Sequence, residues 1–533
     1  MFFQGVTLLS SGDKELILVI DFGGQYAHLI TRRIREIGVY SELMAYSDVT
    51  DEKLLGEKRL GGVILSGGPS SVYDDGAPSM SKNLIESLVQ RGIPILGICY
   101  GHQLIAYLLG GKVELATDRE YGKVKLTVTD RSDLLKGLNK EEIVWMSHGD
   151  QVVSLPAGFE RIASTEICPN AAFRSRKMGI YSVQFHPEVR HTVNGMKILN
   201  NFVLTICRLA PTWSPKDFIE ATTKRIKDQV GDGKVVMGVS GGVDSTVSAD
   251  LIHRAIGENL HCIFVDTGML RKGEVEQVQE TFTNQLRFEH FHCLDSSELF
   301  LSKLKGVEDA EQKRQIIGST FIEVFEAKAN ELKEKYGVFE FLGQGTIYPD
   351  RIESAQATKT SSRIKSHHNV VLPEWMHLRL VEPIKDLYKD EVRAVAERLG
   401  IPDEITWRQP FPGPGLAVRC PGEVTEEKLE ILREADEIVR EEIKNAGLER
   451  KLWQAFAAIL PVKTVGVMGD HRTYQYAITV RAVESEDAMT ANFSKLPWDL
   501  LERIALRIVN EVKGVNRVLY DITDKPPATI ELE

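Results

Sequence analysis

Lys234-Val235-Val236-Met237-Gly238-Val239, followed by Ser240-Gly241-Gly242-Val243-Asp244-Ser245, is the stretch from which fold and chemistry can both be read. The first six residues lack polar alternation and predict a strand buried on both faces, as in a parallel sheet. Ser245–Arg254 predicts the helix that follows. Two glycines between them let the backbone turn tightly, so that free N–H groups and the positive end of the helix form an anion cradle. A carboxylate such as Asp244 has no place beside an anion unless a cation is bound too. A metal-chelated polyphosphate meets both demands. The spacing and the Gly-Lys-Ser/Thr ending of a Walker A loop are missing.

Upstream, strands and helices alternate over the first 200 residues. Glu15–Ile20, Gly62–Leu65 and Pro94–Ile98 predict strands, and Gln25–Ile37 and Ala77–Arg91 predict helices. Such alternation implies a parallel sheet covered on both faces. Gly97-Ile98-Cys99-Tyr100-Gly101 follows the third strand and precedes a helical stretch, Gly101–Leu109. This G-x-C-x-G pattern is a nucleophile elbow with sulfur in place of oxygen. The thiol faces a helix N-terminus, whose dipole favours the thiolate. Such a nucleophile needs a base and a group to orient that base. Phe185-His186-Pro187-Glu188, behind the predicted strand Ile180–Val183, supplies both: His186 takes the proton and Glu188 holds the tautomer. His102 and His148 also tempt a triad reading but read as supporting residues.

Downstream, two prolines bracket a break at Leu209–Pro215. A second alternating unit then runs to about Arg408, with Cys262–Val265 as its next strand. Pro410-Phe411-Pro412-Gly413-Pro414-Gly415 reads as a rigid linker. Beyond it lie a charged helix (Glu426–Asn445), a strand (Tyr476–Val483) and an amphipathic helix (Trp498–Val512). The expected fold is α/β: two doubly wound parallel-sheet domains, 14–209 and 210–408, followed by a smaller α+β domain, 409–533. Residues 1–13 read as a disordered leader. His290-Phe291-His292-Cys293 could suggest zinc, but it alternates like a strand and has no evident fourth ligand.

The 533 residues, 43% hydrophobic and 26% charged, have the composition of a soluble globular protein. A net charge of −11 argues against nucleic-acid or membrane affinity and leaves anionic substrates to local basic clusters. Six cysteines without a CxxC pair fit a reducing cytoplasm. No apolar run is long enough to span a bilayer, and no signal-peptide pattern is present.

Residues 15 to about 208 resemble the class I glutamine amidotransferases. That resemblance implies that Cys99, His186 and Glu188 hydrolyse glutamine through a glutamyl thioester. In it, Ser66-Gly67-Gly68-Pro69 is the oxyanion loop, with the N–H groups of Gly67 and Gly68 joined by that of Tyr100. Gln103, Ser147, His148, Gly149 and Asp150 match its glutamine-binding positions. The Ser240–Ser245 loop resembles that of the N-type ATP pyrophosphatases, so Ser240, Gly241, Gly242, Val243, Asp244 and Ser245 are expected to hold ATP phosphates and Asp244 to hold Mg²⁺. Further stretches are Gly345–Asp350, Ile364-Lys365-Ser366-His367-His368-Asn369, Pro410–Gly415 and Lys525-Pro526-Pro527-Ala528-Thr529-Ile530-Glu531. Together they make nearly the whole chain resemble the glutamine-hydrolysing GMP synthetase family, carbon–nitrogen ligases acting on xanthosine monophosphate (XMP), ATP and glutamine. The resemblance implies Val265 beside adenine and Lys365 in an ATP-site lid. It also implies Arg314, Gln454, Arg517, Lys525, Ile530 and Glu531 at XMP. It implies a homodimer through the C-terminal domain, for which Tyr476–Val483 would offer an edge or a face. Other adenylating amidotransferases, such as NAD⁺ synthetases, match in one half only and lack the KPPATIE tail.

Overall fold

The computed structural model describes residues 16–50, 54, 56, 59–350, 378–485 and 490–533. The leader and Lys365 with its surrounding segment lie outside these residues. The chain divides into two compact units, Met1–Ser214 and Pro215–Glu533.

Among its described residues the first unit holds nine strands: β1 (Leu16–Asp21), β2 (Tyr40–Ala45), β3 (Leu60–Leu65), β4 (Ile95–Ile98), β5 (Lys112–Val128), β6 (Glu141–Ser154), β7 (Glu160–Ser164), β8 (Ala172–Ser175) and β9 (Ile180–Val183). They form one sheet in the order β2-β1-β3-β4-β9-β8-β7-β5-β6. The strands from β2 to β9 in that order run parallel, as the alternation predicts. Alternate residues of one strand feed different cores: Ile17, Val19 and Ile64 join one, while Leu18, Ile20, Val63 and Leu65 join the other. That period-two division is what covering both faces with helices requires. The remaining four strands extend the sheet in antiparallel fashion, an addition that strand–helix alternation does not predict. Helices α1 (Ala27–Glu36), α2 (Lys82–Gln90) and α3 (Tyr100–Leu108) cover this sheet. The second begins five residues later than expected because Ser81 caps it, its side chain accepting from the Leu84 N–H at 3.1 Å.

In the second unit, β10 (Val235–Gly238), β11 (Leu260–Asp266), β12 (Phe291–Asp295), β13 (Phe341–Gly343) and β14 (Arg379–Val381) form a parallel sheet in the order β12-β11-β10-β13-β14. A smaller mixed sheet contains β15 (Gln454–Met468), β16 (His471–Glu484), β17 (Asn492–Phe493) and β18 (Val515–Asp521). One apolar core joins Val236 and Ile263 of the first sheet to Ile478, Val480 and Val515 of the second. Residues on the two sides of position 409 therefore pack together. The Pro410–Gly415 run is docked rather than loose: the Arg271 guanidinium lies 4.4 Å from the Phe411 ring, and Leu416 N donates to Met269 O at 2.8 Å.

The structure corrects the expectation for Tyr476–Val483. Its strand, β16, is bonded to β15 on one side and β18 on the other. Residues 477–483 are buried on both faces, so this stretch offers neither edge nor face. Among the described residues, no helix is long and apolar enough to cross a membrane.

Candidate functional site

The turn after β4 builds the first site. Cys99 adopts φ +52°, ψ −102°, a backbone that non-glycine residues rarely hold. Its neighbours must be small. A Cβ on Gly101 would stand 2.3 Å from Leu65 O, and one on Gly97 would stand 2.7 Å from Gly101 O. The thiol is thus set at the start of α3. His186 follows β9 and has Nδ1 2.7 Å from Glu188 Oε1. A Cβ on Gly67 would lie 3.2 Å from His186 Cε1 and 3.7 Å from Cys99 Cβ, so the Gly67 backbone abuts both. Burial opposes a charge on His186. The Glu188 carboxylate and Cys99 outweigh it and hold the imidazole well above its ordinary pKa.

The expected glutamine-binding residues gather here. Cys99 Sγ lies 3.7 Å from Ser147 O, and Gln103 Nε2 donates to Asp150 O at 2.8 Å. His148 Nδ1 lies 2.9 Å from the same carbonyl, while its Nε2 is 3.2 Å from Glu120 Oε2. Gly149 has open space beside it apart from Arg119 Nε at 3.9 Å. His102 is buried beside His148, its pKa is pushed down to about 3 by burial, and it lies 2.7 Å from Ser182 Oγ. A neutral, packed imidazole suits support better than proton transfer. Glu120, His148 and Cys168 place potential metal-ligand atoms within 4.8 Å of one another. Burial pushes the Cys168 thiol up to about 12, which disfavours the thiolate that a metal needs. Sequence reasoning missed Glu120, Ser71 and Tyr73, because each meets its partner only through the fold.

The second site lies between β10 and α4 (Val243–Ile256). Gly241 has φ +72°, and a Cβ there would stand 2.3 Å from Val278 Cγ2. Ser245 Oγ accepts from Ser240 N at 3.2 Å and donates to Gly242 O at 3.1 Å, tying the loop to the first helical turn. Lys389 Nζ donates to Asp244 Oδ2 at 2.5 Å. Asp244 Oδ1 is buried and has no hydrogen-bond partner among the described residues, which fits a site for a cation. Gly345, from the Gly345–Asp350 stretch, packs against Asp244 and Ser245, where a Cβ would meet their backbone at 3.2 Å. Val265 is buried near the C-terminal end of β11. Where β11 and β12 pair, the His261 and His290 rings stack at 4.2 Å, and His261 Nδ1 is 3.3 Å from His292 Nε2.

The proposed XMP residues divide into groups. Gln454 Nε2 donates to Glu531 Oε1 at 2.9 Å, next to buried Ile530. Glu531 also receives a two-pronged hydrogen bond from the buried Arg419, at 2.9 and 3.0 Å. Arg481 holds the Ile530 and Thr529 carbonyls at 2.7 and 2.8 Å. Lys525 pairs its backbone with Ala491. Arg314 lies near the start of a long helix beside Lys313, which forms an ion pair with Glu533. Arg517 lies four residues before Asp521 on β18, roughly 13 Å along the strand from the end that Arg481 grips. The structure therefore gathers Gln454, Ile530 and Glu531 but not Arg517.

Three family models match successive parts of the chain. Residues 18–206 match glutamine amidotransferase class-I, 216–314 match NAD synthase, and 441–532 match the GMP synthase C terminal domain. Among curated proteins, the glutamine-hydrolysing GMP synthase of Carboxydothermus hydrogenoformans is 56% identical over 97% of this chain and 99% of its own length. Those of Geobacillus kaustophilus and Bacillus subtilis are 55% and 54% identical, each over 98% of this chain and 100% and 99% of their own.

Proposed function

The chain belongs to the glutamine-hydrolysing GMP synthase family, and from that premise we propose how its residues divide the reaction. Cys99 Sγ, its proton already held by His186, attacks the side-chain carbonyl of glutamine, and His186 then gives that proton to the departing ammonia. Glu188 holds the imidazole in register. Backbone N–H groups of Gly67, Gly68 and Tyr100 receive the charge developing on the carbonyl oxygen. Water, deprotonated by His186, cleaves the thioester to glutamate. Gln103, Ser147, His148, Gly149 and Asp150 form the glutamine pocket. In the second unit the C2 oxygen of XMP attacks the ATP α-phosphorus and pyrophosphate leaves. Ammonia then adds at C2, AMP departs with that oxygen, and GMP remains.

Ser240, Gly241, Gly242, Val243 and Ser245 cradle the departing phosphates, with Val265 beside adenine and Lys365 in a covering segment. Asp244 would hold Mg²⁺, which supplies charge neutralisation to the pyrophosphate. Arg314, Gln454, Arg517, Lys525, Ile530 and Glu531 serve XMP. We further propose a cytoplasmic homodimer. The free thiols of Cys99, Cys168, Cys262, Cys293 and Cys420 suit a reducing compartment. Exposed Val465, Val467 and Tyr474 suit a contact between copies.

The single observation that carries the reading is the strained Cys99 turn set against the Gly67 backbone and the His186–Glu188 pair. Assay of GMP, AMP and pyrophosphate from XMP, ATP and either nitrogen source tests it. Cys99→Ala should abolish glutamine-dependent synthesis and spare synthesis from ammonium. Equal loss of both in a folded variant would sink the two-site reading. The NAD synthase match over 216–314 makes nicotinic acid adenine dinucleotide the control acceptor; its amidation in place of XMP would favour that alternative.

A further inference from the structure

Asp150 is a junction for three segments around Cys99. Its carbonyl accepts from Gln103, one turn into the helix that Cys99 opens, and lies beside His148. Its carboxylate faces another segment: Oδ2 accepts from Ser71 Oγ at 2.5 Å, and Oδ1 accepts from Tyr73 OH at 2.8 Å. Both hydroxyls belong to the loop that runs from Gly67 and Gly68 to Pro78. That loop is moored at both ends. Ser66 Oγ accepts from Phe22 N at 3.1 Å and donates to Gly67 O at 2.9 Å, while Tyr100 OH donates to Pro78 O at 2.5 Å. Between the moorings, the bonds to Asp150 fasten it to the glutamine-site strand β6. Tyr73 is 42% exposed, whereas Asp150 is 7% exposed. The phenol is thus not a core side chain; it reaches inward only to bond. Burial, and then the bond to Asp150, push its pKa up.

We propose that Ser71 and Tyr73 are positioning residues for glutamine hydrolysis. Through the Asp150 carboxylate they hold the Gly67–Gly68 backbone against Cys99, so that its N–H groups meet the oxyanion. The inference rests on Cys99 being the glutaminase nucleophile. Hydrogen bonds to a carboxylate are roughly twice as strong as neutral ones, and two on one loop fix its direction as well as its distance. Because oxyanion donors act on charge that exists only in the transition state, loosening them lowers kcat and leaves KM nearly unchanged.

The test is steady-state glutamine hydrolysis by the full chain with XMP and Mg-ATP present, comparing Ser71→Ala/Tyr73→Phe with the wild type. The expected result is a kcat lower by on the order of tenfold or more, with KM within about twofold, given that one lost oxyanion donor costs 10²–10³. Ser71→Thr/Tyr73→Phe, which restores one hydroxyl, should recover part of that loss. Ammonium-driven GMP synthesis reports separately on the rest of the chain. A raised KM with kcat intact would mean that the hydroxyls contact glutamine instead, and unchanged kinetics would reduce the clasp to a surface contact. A general loss including ammonium-driven turnover, not relieved by Ser71→Thr, also overturns it. A wild-type chain that does not hydrolyse glutamine at all overturns the nucleophile assignment itself.

Discussion

A histidine as buried as His186 would ordinarily shed its proton, yet here the Glu188 carboxylate and Cys99 keep it on. The sign of the linkage follows. Because the folded pKa is raised, the stability tied to this proton is fully present below the unfolded value, about 6.5, and is lost as pH rises through the folded value. Glu188→Gln removes the main source of that stability. Its loss of thermal stability should be largest at about pH 5–6.5 and shrink at alkaline pH, measured as Tm across a pH series. A constant difference would show that the pair carries no linked proton. The same replacement should lower glutamine turnover, since the amide does not hold the imidazole as the carboxylate does. Cys99, His186 and Glu188 were legible because each sits in a short pattern whose neighbours announce it. Lys389 on Asp244 and Arg419 on Glu531 were not, being 145 and 112 residues apart. No local pattern marks such partners.

The strand–loop–helix around Gly241 was readable because its requirements are local: a buried strand, a left-handed glycine, a helix. The structure adds that Gly241 is constrained twice, by φ +72° and by Val278 at 2.3 Å. A Cβ on Gly76, at φ +78°, would meet none of the described residues within 4 Å. Gly241→Ala should therefore cost roughly 1–3 kcal/mol from overpacking in addition to the backbone strain that Gly76→Ala alone would show. It should also abolish pyrophosphate release with either nitrogen source. Equal melting temperatures for the two variants would mean that the loop yields easily. The antiparallel strands β5–β8 escaped the sequence reading for a physical reason. Strand–helix alternation reports parallel connections, and hairpin-built extensions leave no such spacing. Tyr476–Val483 was misplaced for a related reason: alternation marks a strand but not whether both its edges are already bonded.

The surface of the second unit gives the assembly prediction. Val465 and Val467 are 59% and 74% exposed, and Val465 pairs directly with Tyr474, 67% exposed. Apolar side chains massed on one sheet face mark a contact. Val465→Glu/Val467→Lys should shift the chain toward monomer in sedimentation equilibrium at micromolar concentration. A wild-type chain already monomeric there and fully active would remove the dimer from the proposal. Sequence reading put the contact at Tyr476–Val483; the packing leaves the other end of the hairpin, at Val465, Val467 and Tyr474, exposed instead. The buried cation Lys313 is balanced by Glu533, so during vectorial synthesis it is translated long before its counter-charge. A buried charge left alone costs about 3–5 kcal/mol. The nascent second unit must therefore keep that side chain in water until Glu533 has been made, which ties the closing of its core to the arrival of that one carboxylate.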